Sequence, residues 1–217
     1  MTDSLPQAII RIVPGGGART AEQIQNQWRY LTRKGHMQLR RSERHLGVVL
    51  SPDQVEAVAE SWAQETGYGQ TGRDLTTHIV ISFPPGTDEE KAFAIARAWA
   101  EEMFGSGRNG GSFDYLTACH TDRAHPHMHL IVNRRAFEGH WLKISRRHHY
   151  LSYDRLRLAL AEIAGRHGVA LEATSRLARG IAEAPITYAE YRRRARKSAA
   201  LAAERPPEAE GSSHHVS

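Results

Sequence analysis

Apolar positions along this chain fall into two rhythms, and each predicts a kind of element. Short apolar runs bounded by turn residues predict strands. They occupy residues 7–13 (Gln-Ala-Ile-Ile-Arg-Ile-Val), 75–83, Tyr115–His120 and His127–Asn133, with Trp141-Leu-Lys-Ile as a further edge strand. Apolar residues three and four apart predict helices over 21–34, from Ser51-Pro52-Asp53 to about Thr66, over 88–104 and over 153–167. Thr20 and Gln23 form a capping box for the first of them. The inward stripes are Ile24, Trp28 and Leu31; Val55, Val58, Ala59 and Trp62; Phe93, Ala96, Ala100 and Phe104; and Leu156, Leu160 and Ile163.

Between these segments lie Pro14 with the triple glycine 15–17, a basic irregular stretch 36–50, a loop Gly67–Gly72 and a glycine-rich loop 105–111. A basic helix is expected over 187–203, and the Pro-, Gly- and Ser-bearing tail 204–217 reads as disordered. The order β-α-α-β-α-β-β-(β)-α-α fits one α+β domain, residues 1–203, whose basic helical C-terminal part starts near 153. Its centre is an antiparallel sheet of about five strands, with helices packed on one side. There is no internal repeat.

Composition narrows the class without fixing it. Hydrophobic content of 40% with 24% charged residues is that of a soluble globular protein. No apolar run approaches the ~20 residues needed to cross a bilayer, and the N-terminus lacks a signal-peptide pattern. A single cysteine excludes an intramolecular disulfide and agrees with a reducing cytoplasm. The net charge of +5 favours a polyanionic partner.

The chemistry concentrates in His120-Thr-Asp122-Arg-Ala-His125-Pro126-His127-Met-His129. In a strand His127 and His129 share a face. A hairpin with the preceding strand brings His120 back towards that pair. Three imidazoles converging on one sheet face make a divalent-metal site with coordination positions left open. Structural zinc usually has four protein ligands, often cysteines, and only Cys119 is present. Asp122 is a candidate base or orienter of a ligand histidine, two roles that the residues alone do not separate, and His125 or His78 could contribute.

On the first helix Tyr30 lies off the core stripe, on the flank shared with Asn26 and Lys34. A tyrosine there, with a lysine one turn on, suits an anionic ligand or is an amphipathic surface residue. Arg146, Arg147, His148 and His149, with Tyr150 and Tyr153 nearby, form a basic–aromatic cluster. It suits single-stranded DNA, in which phosphates meet charge and bases stack, or is a solvated charged loop.

The His-x-Asp-x-x-His-Pro-His-x-His run resembles the third motif of conjugative relaxases, in the HUH superfamily of single-strand DNA endonucleases. His125 stands where that pattern usually has Asn. Residues 9–17, Tyr30-Leu-Thr-Arg-Lys-Gly35 and 75–84 are similar to the branch that nicks T-DNA borders, and the resemblance covers about residues 7–195. It implies the HUH fold, with the histidine strands at the sheet centre. His120, His127 and His129 would be ligands of Mg²⁺, Mn²⁺ or another divalent ion, and Tyr30 the nucleophile that becomes joined to a 5′ phosphate. Lys34, His125, Arg146 and Arg147 would contact DNA. The implied partners are single-stranded DNA at a border or transfer-origin nick site, an accessory DNA-binding protein for duplex substrates, and type IV secretion coupling machinery. The implied route is export with the bound strand into a recipient plant cell and its nucleus.

Two other readings stay open. His125-Pro-His127-Met-His129 fits the alternating pattern of histidine-triad nucleotide hydrolases, with His127 as nucleophile and no metal, which leaves His120, Asp122 and Tyr30 without a role. A metal-stabilised DNA-binding module would bind DNA without cutting it.

Overall fold

A computed structural model describes residues 5–33, 37–65, 72–121 and 125–174. The expected helix 187–203, the tail 204–217, most of the Gly67–Gly72 loop, Lys34 and Asp122 lie outside the described residues.

Five strands form one antiparallel sheet: β1 (Ile9–Ile12), β2 (Leu39–Arg41), β3 (Thr76–Ser82), β4 (Phe113–His120) and β5 (His127–Ala136). Their spatial order is β1-β3-β5-β4-β2, so the strand carrying His127 and His129 is the middle one. The helices are α1 (Ala21–Leu31), α2 (Pro52–Glu65), α3 (Glu89–Ala100) and α4 (Tyr153–Arg166).

The helices cover both faces of the sheet, which corrects the expectation of one side. Strand alternation explains why. Met128, Leu130 and Val132 of β5 join Ile79, Ile81, Phe113 and Tyr115 in a core shared with α3 and α4. Ile131, with Leu116 and Ala118 of β4, faces the other way and packs on Trp28 of α1 and Trp62 of α2. Those two indoles meet edge to face, centroids 5.6 Å apart. Both faces of β4 and β5 are therefore apolar over most of their length. The histidines take the α1/α2 face where that apolar half ends.

Local signals set the element ends. Thr20 caps α1 by accepting from the Gln23 N–H, and α1 stops at Leu31, three residues short of expectation. The Thr32 hydroxyl bonds the Trp28 carbonyl at 2.9 Å, and Arg33 turns left-handed at φ 50°. Ser51 and Gln54 cap α2 reciprocally. Asp88 and Ser152 cap α3 and α4. Helix α3 gives way at Glu101 to a π-helical turn, Glu101–Gly105. Within the third expected stripe, Phe93 is only half-buried, and Ala92, Ile95, Trp99 and Met103 are buried as well.

Two expectations about strands need correction. The stretch 36–50 is not irregular throughout, because Leu39–Arg41 pairs with Leu116–Ala118 as β2. Trp141-Leu-Lys-Ile forms only a bridge from Trp141 to Arg135.

Where β2 leaves the sheet, a polar network joins it to β4. Asp114 is 3% exposed and sits at a register irregularity between Phe113 and Tyr115. Its carboxylate accepts from Arg41 Nη2 at 2.8 Å and Nε at 3.0 Å, Ser42 Oγ at 2.7 Å and Trp62 Nε1 at 3.1 Å. The buried carboxylate is thus paired with a guanidinium and hydrogen-bonded. In the triple-glycine loop, a Cβ on Gly17 would meet the Asp74 side chain at 2.6 Å, so the backbone there approaches closer than any side chain allows. Among the described residues no helix is long and apolar enough to cross a membrane.

Candidate metal centre

The register of the two central pairings assembles the cluster. His120 of β4 pairs with His127 of β5, and Ala118 pairs with His129. Residues 118, 120, 127 and 129 therefore share one face. The ring centroids of His120, His127 and His129 lie 4.6 to 5.2 Å apart. Each residue offers a ligand nitrogen, and these nitrogens all lie within 4.8 Å of one another. Metal–nitrogen bonds of about 2.1 Å span such a gap after small side-chain rotations. His120 and His127 are buried and His129 is half-buried, so the cluster opens to one side.

The neighbour of each ring bears on its orientation and tautomer. His120 Nε2 donates to the Leu31 carbonyl at 2.7 Å, which puts its lone pair on Nδ1. His127 Nδ1 lies 3.5 Å from the His125 carbonyl, a long contact. His129 Nδ1 lies 2.8 Å from His78 Nε2. His78 pairs with Ile131 and so stands diagonal to His129 on the neighbouring strand. Burial, reinforced by the Arg11 charge, pushes the His78 pKa down to about 4. One of the two rings donates across this contact, which orients His129 whichever nitrogen carries the proton. His120 and His129 each have a carbonyl or an imidazole behind them, and three imidazoles are a donor set that fits a divalent transition metal.

Cys119 contributes nothing here. It packs on the α3/α4 side of the sheet, and burial pushes its thiol up to about 11.

Tyr30 is 80% exposed in the last turn of α1. It immediately precedes Leu31, whose carbonyl holds His120, so the helix end that presents the tyrosine is tied to the cluster. His125 is half-buried, its ring centroid 6.0 Å from that of His127. Arg146 and Arg147 are exposed in the segment between β5 and α4 and make none of the described hydrogen bonds to the cluster. His148 accepts the backbone N–H groups of Tyr150 and Leu151 and so shapes this turn. Tyr150 and Tyr153 stay partly accessible.

Sequence reasoning missed the Leu31 carbonyl, because a main-chain group leaves no residue-type signal. It noted His78 without placing it. The usable signal was parity, since His78 alternates with Thr77 and Ile79 and so shares a face with Val80.

Known proteins share this chain's family and fold. The family described as "Relaxase: MobA/VirD2-like, nuclease domain" matches residues 30–169, well over half of the chain. T-DNA border endonuclease VirD2 of Agrobacterium fabrum is 58% identical over 201 residues, covering 89% of this chain and 45% of that protein. Its counterpart from Rhizobium rhizogenes is 58% identical over 200 residues, covering 88% and 46%. The chain thus spans slightly less than half the length of these curated relatives. Among solved structures, the MobM relaxase domain bound to oriT DNA has the same fold, with TM-score 0.54 and 16% identity over 85% of this chain and 99% of that one. The chain belongs to the relaxase family, as a nuclease domain of the MobA/VirD2-like type.

Proposed function

We propose that this chain nicks one strand of DNA at a T-DNA border or a transfer origin by transesterification through Tyr30. The observation that carries the reading is the bond from His120 to the Leu31 carbonyl, which ties the helix end bearing an exposed tyrosine to the three-histidine cluster. Attack by the Tyr30 oxygen forms a tyrosyl–phosphorus bond on the 5′ side and breaks the bond to O3′. The proton lost by Tyr30 is matched by the one that O3′ gains, and the product carries a free 3′ hydroxyl. The diester energy is kept in the phosphotyrosyl bond, so rejoining can run by the reverse path.

A cation held by His120, His127 and His129 would supply charge stabilisation at a non-bridging phosphate oxygen. Of Mg²⁺ and Mn²⁺, imidazole donors favour Mn²⁺. A tyrosine hydroxyl ordinarily titrates near 10 and needs a base, for which Asp122 and His125 are the candidates. Lys34, Arg146 and Arg147 would contact phosphates. By analogy with its relatives, the chain would need an accessory DNA-binding protein on duplex DNA. It would pass with its strand from the bacterial cytoplasm through type IV secretion coupling machinery into a plant cell and its nucleus.

The histidine-triad reading is not favoured, because here His120 closes the cluster and a tyrosine is tied to it. The test is incubation with end-labelled single-stranded border oligonucleotides and Mn²⁺ or Mg²⁺. A denaturant-resistant protein–DNA adduct is expected. DNA binding without an adduct would point to a non-catalytic binding module instead.

A further inference from the structure

Strand β2 carries an arginine on each face of the sheet, and Arg41, on one of them, is held by Asp114. Arg40 pairs in register with Thr117 and points with it to the α3/α4 side. A cavity of about 360 Å³ lies there, lined by Met37, Gln38 and Arg40 of the β2 segment, Thr117 and Cys119 of β4, and Arg97 of α3. Arg97 Nη1 is 3.8 Å from the Cys119 sulfur, and the charges of both arginines reach that atom. Among the described residues neither arginine forms an ion pair, and no carboxylate lines the cavity. Glu101, one turn beyond Arg97, is taken by the Tyr115 hydroxyl at 3.0 Å. Two like charges sharing a partly enclosed space repel, more strongly than they would in open water. An anion between them turns that repulsion into attraction.

We propose that Arg40 and Arg97 clamp a phosphate group in this cavity, on the sheet face turned away from the histidine cluster. Each guanidinium is a planar fork of donors that engages two oxygens at once. A tetrahedral phosphate turns a different pair of oxygens to each fork, whereas a planar carboxylate has a single pair to share. The Gln38 amide adds a donor, and Met37 closes one wall without competing for the anion. The cavity is larger than the bare ion, so a free phosphate brings water with it and a phosphodiester its sugar. Free phosphate and a nucleic-acid backbone present the same chemistry here. In either case the anion ties α3 to the edge strand β2, and neither Tyr30 nor the three histidines hold it.

The experiment uses the full chain in chelator, so that no cation at the histidines draws the anion. Cys119 is the only cysteine, so its labelling by neutral N-ethylmaleimide reports on this cavity alone. Inorganic phosphate should slow labelling along a saturable curve, and sodium chloride at equal ionic strength should not. Arg40→Gln and Arg97→Gln should each weaken phosphate binding in calorimetry roughly tenfold and remove the protection, while the protein stays folded. Arg40→Lys and Arg97→Lys keep the charge without the fork and should fall between. Arg166→Gln, at an exposed arginine of α4, should change nothing. An oligothymidylate in the same assay identifies the source. Protection at a lower phosphate concentration than the free ion needs marks a strand, and protection by the ion alone marks free phosphate. Labelling that neither anion slows, or protection that survives both Gln substitutions, overturns the site.

Discussion

His78 Nε2 and His129 Nδ1 approach to 2.8 Å across neighbouring strands, their rings tilted by 38°. His78 is therefore the hydrogen-bond partner that orients a candidate ligand. His78→Ala should lower Mn²⁺ affinity about 10–100-fold with little change in the urea midpoint. His78→Gln, which keeps an acceptor oxygen, should restore part of it. Titration calorimetry decides the matter, and equal affinity in all three proteins would remove His78 from the site.

Replacing His127 or His129 by Ala should abolish measurable cation binding and strand cleavage while the protein stays folded. The affinity order should run from Mg²⁺ up to Mn²⁺ and then to later first-row ions, as imidazole donors dictate. Cleavage that continues undiminished in chelator would refute a role for the cluster.

Tyr30→Phe removes one exposed oxygen and leaves α1 intact, because the ring is 80% exposed. Oligonucleotide affinity should persist within about twofold, since surface changes away from packing are small. The covalent adduct should vanish on a denaturing gel. If it persists, the nucleophile is another tyrosine: Tyr68, which lies outside the described residues, or Tyr150 and Tyr153, which are partly accessible.

Asp114→Ala strands the Arg41 guanidinium and deprives Ser42 and Trp62 of their acceptor in a buried setting. It should cost roughly 3–5 kcal/mol in urea unfolding. Trp62→Phe, which removes one donor and some ring area, should cost less. A loss under 1 kcal/mol for Asp114→Ala would mean that water replaces the network.

Linear duplex should resist this chain alone, because unpairing costs about 1.4 kcal/mol per base-pair step. Single strands should be cut freely, and supercoiled plasmid only with a helper protein. Affinity for single strands should fall steeply with salt as phosphate contacts release counterions. Efficient nicking of linear duplex without a partner would contradict this.

Much of the fold was legible because the informative segments were long and periodic. The stripe Ile24, Trp28, Leu31 is buried as its spacing required, and so is Leu156, Leu160, Ile163. The strands around the histidines were readable because apolar residues on one parity leave the other parity for chemistry. Strand β2 escaped because three residues, Leu39-Arg40-Arg41, carry no alternation long enough to detect; it exists through pairing with β4. Helices on both faces escaped for a related reason. Ile131 and Leu116 were legible as apolar, yet only the assembled sheet shows that they face away from Met128 and Leu130. Within the candidate site the side chains were visible in advance, and the main-chain acceptor on Leu31 was not.

The position of β5 has a consequence for motion. As the middle strand it is hydrogen-bonded to β3 and β4, so its inner amides exchange with solvent only when the sheet itself separates. Tyr30 rides instead on the last turn of an eleven-residue helix, where local opening costs little. In hydrogen exchange the backbone at Met128 and His129 should open with global unfolding, and that around Tyr30 far sooner. The proposed nucleophile can thus move with the strand that it would carry while the imidazoles stay where the sheet holds them.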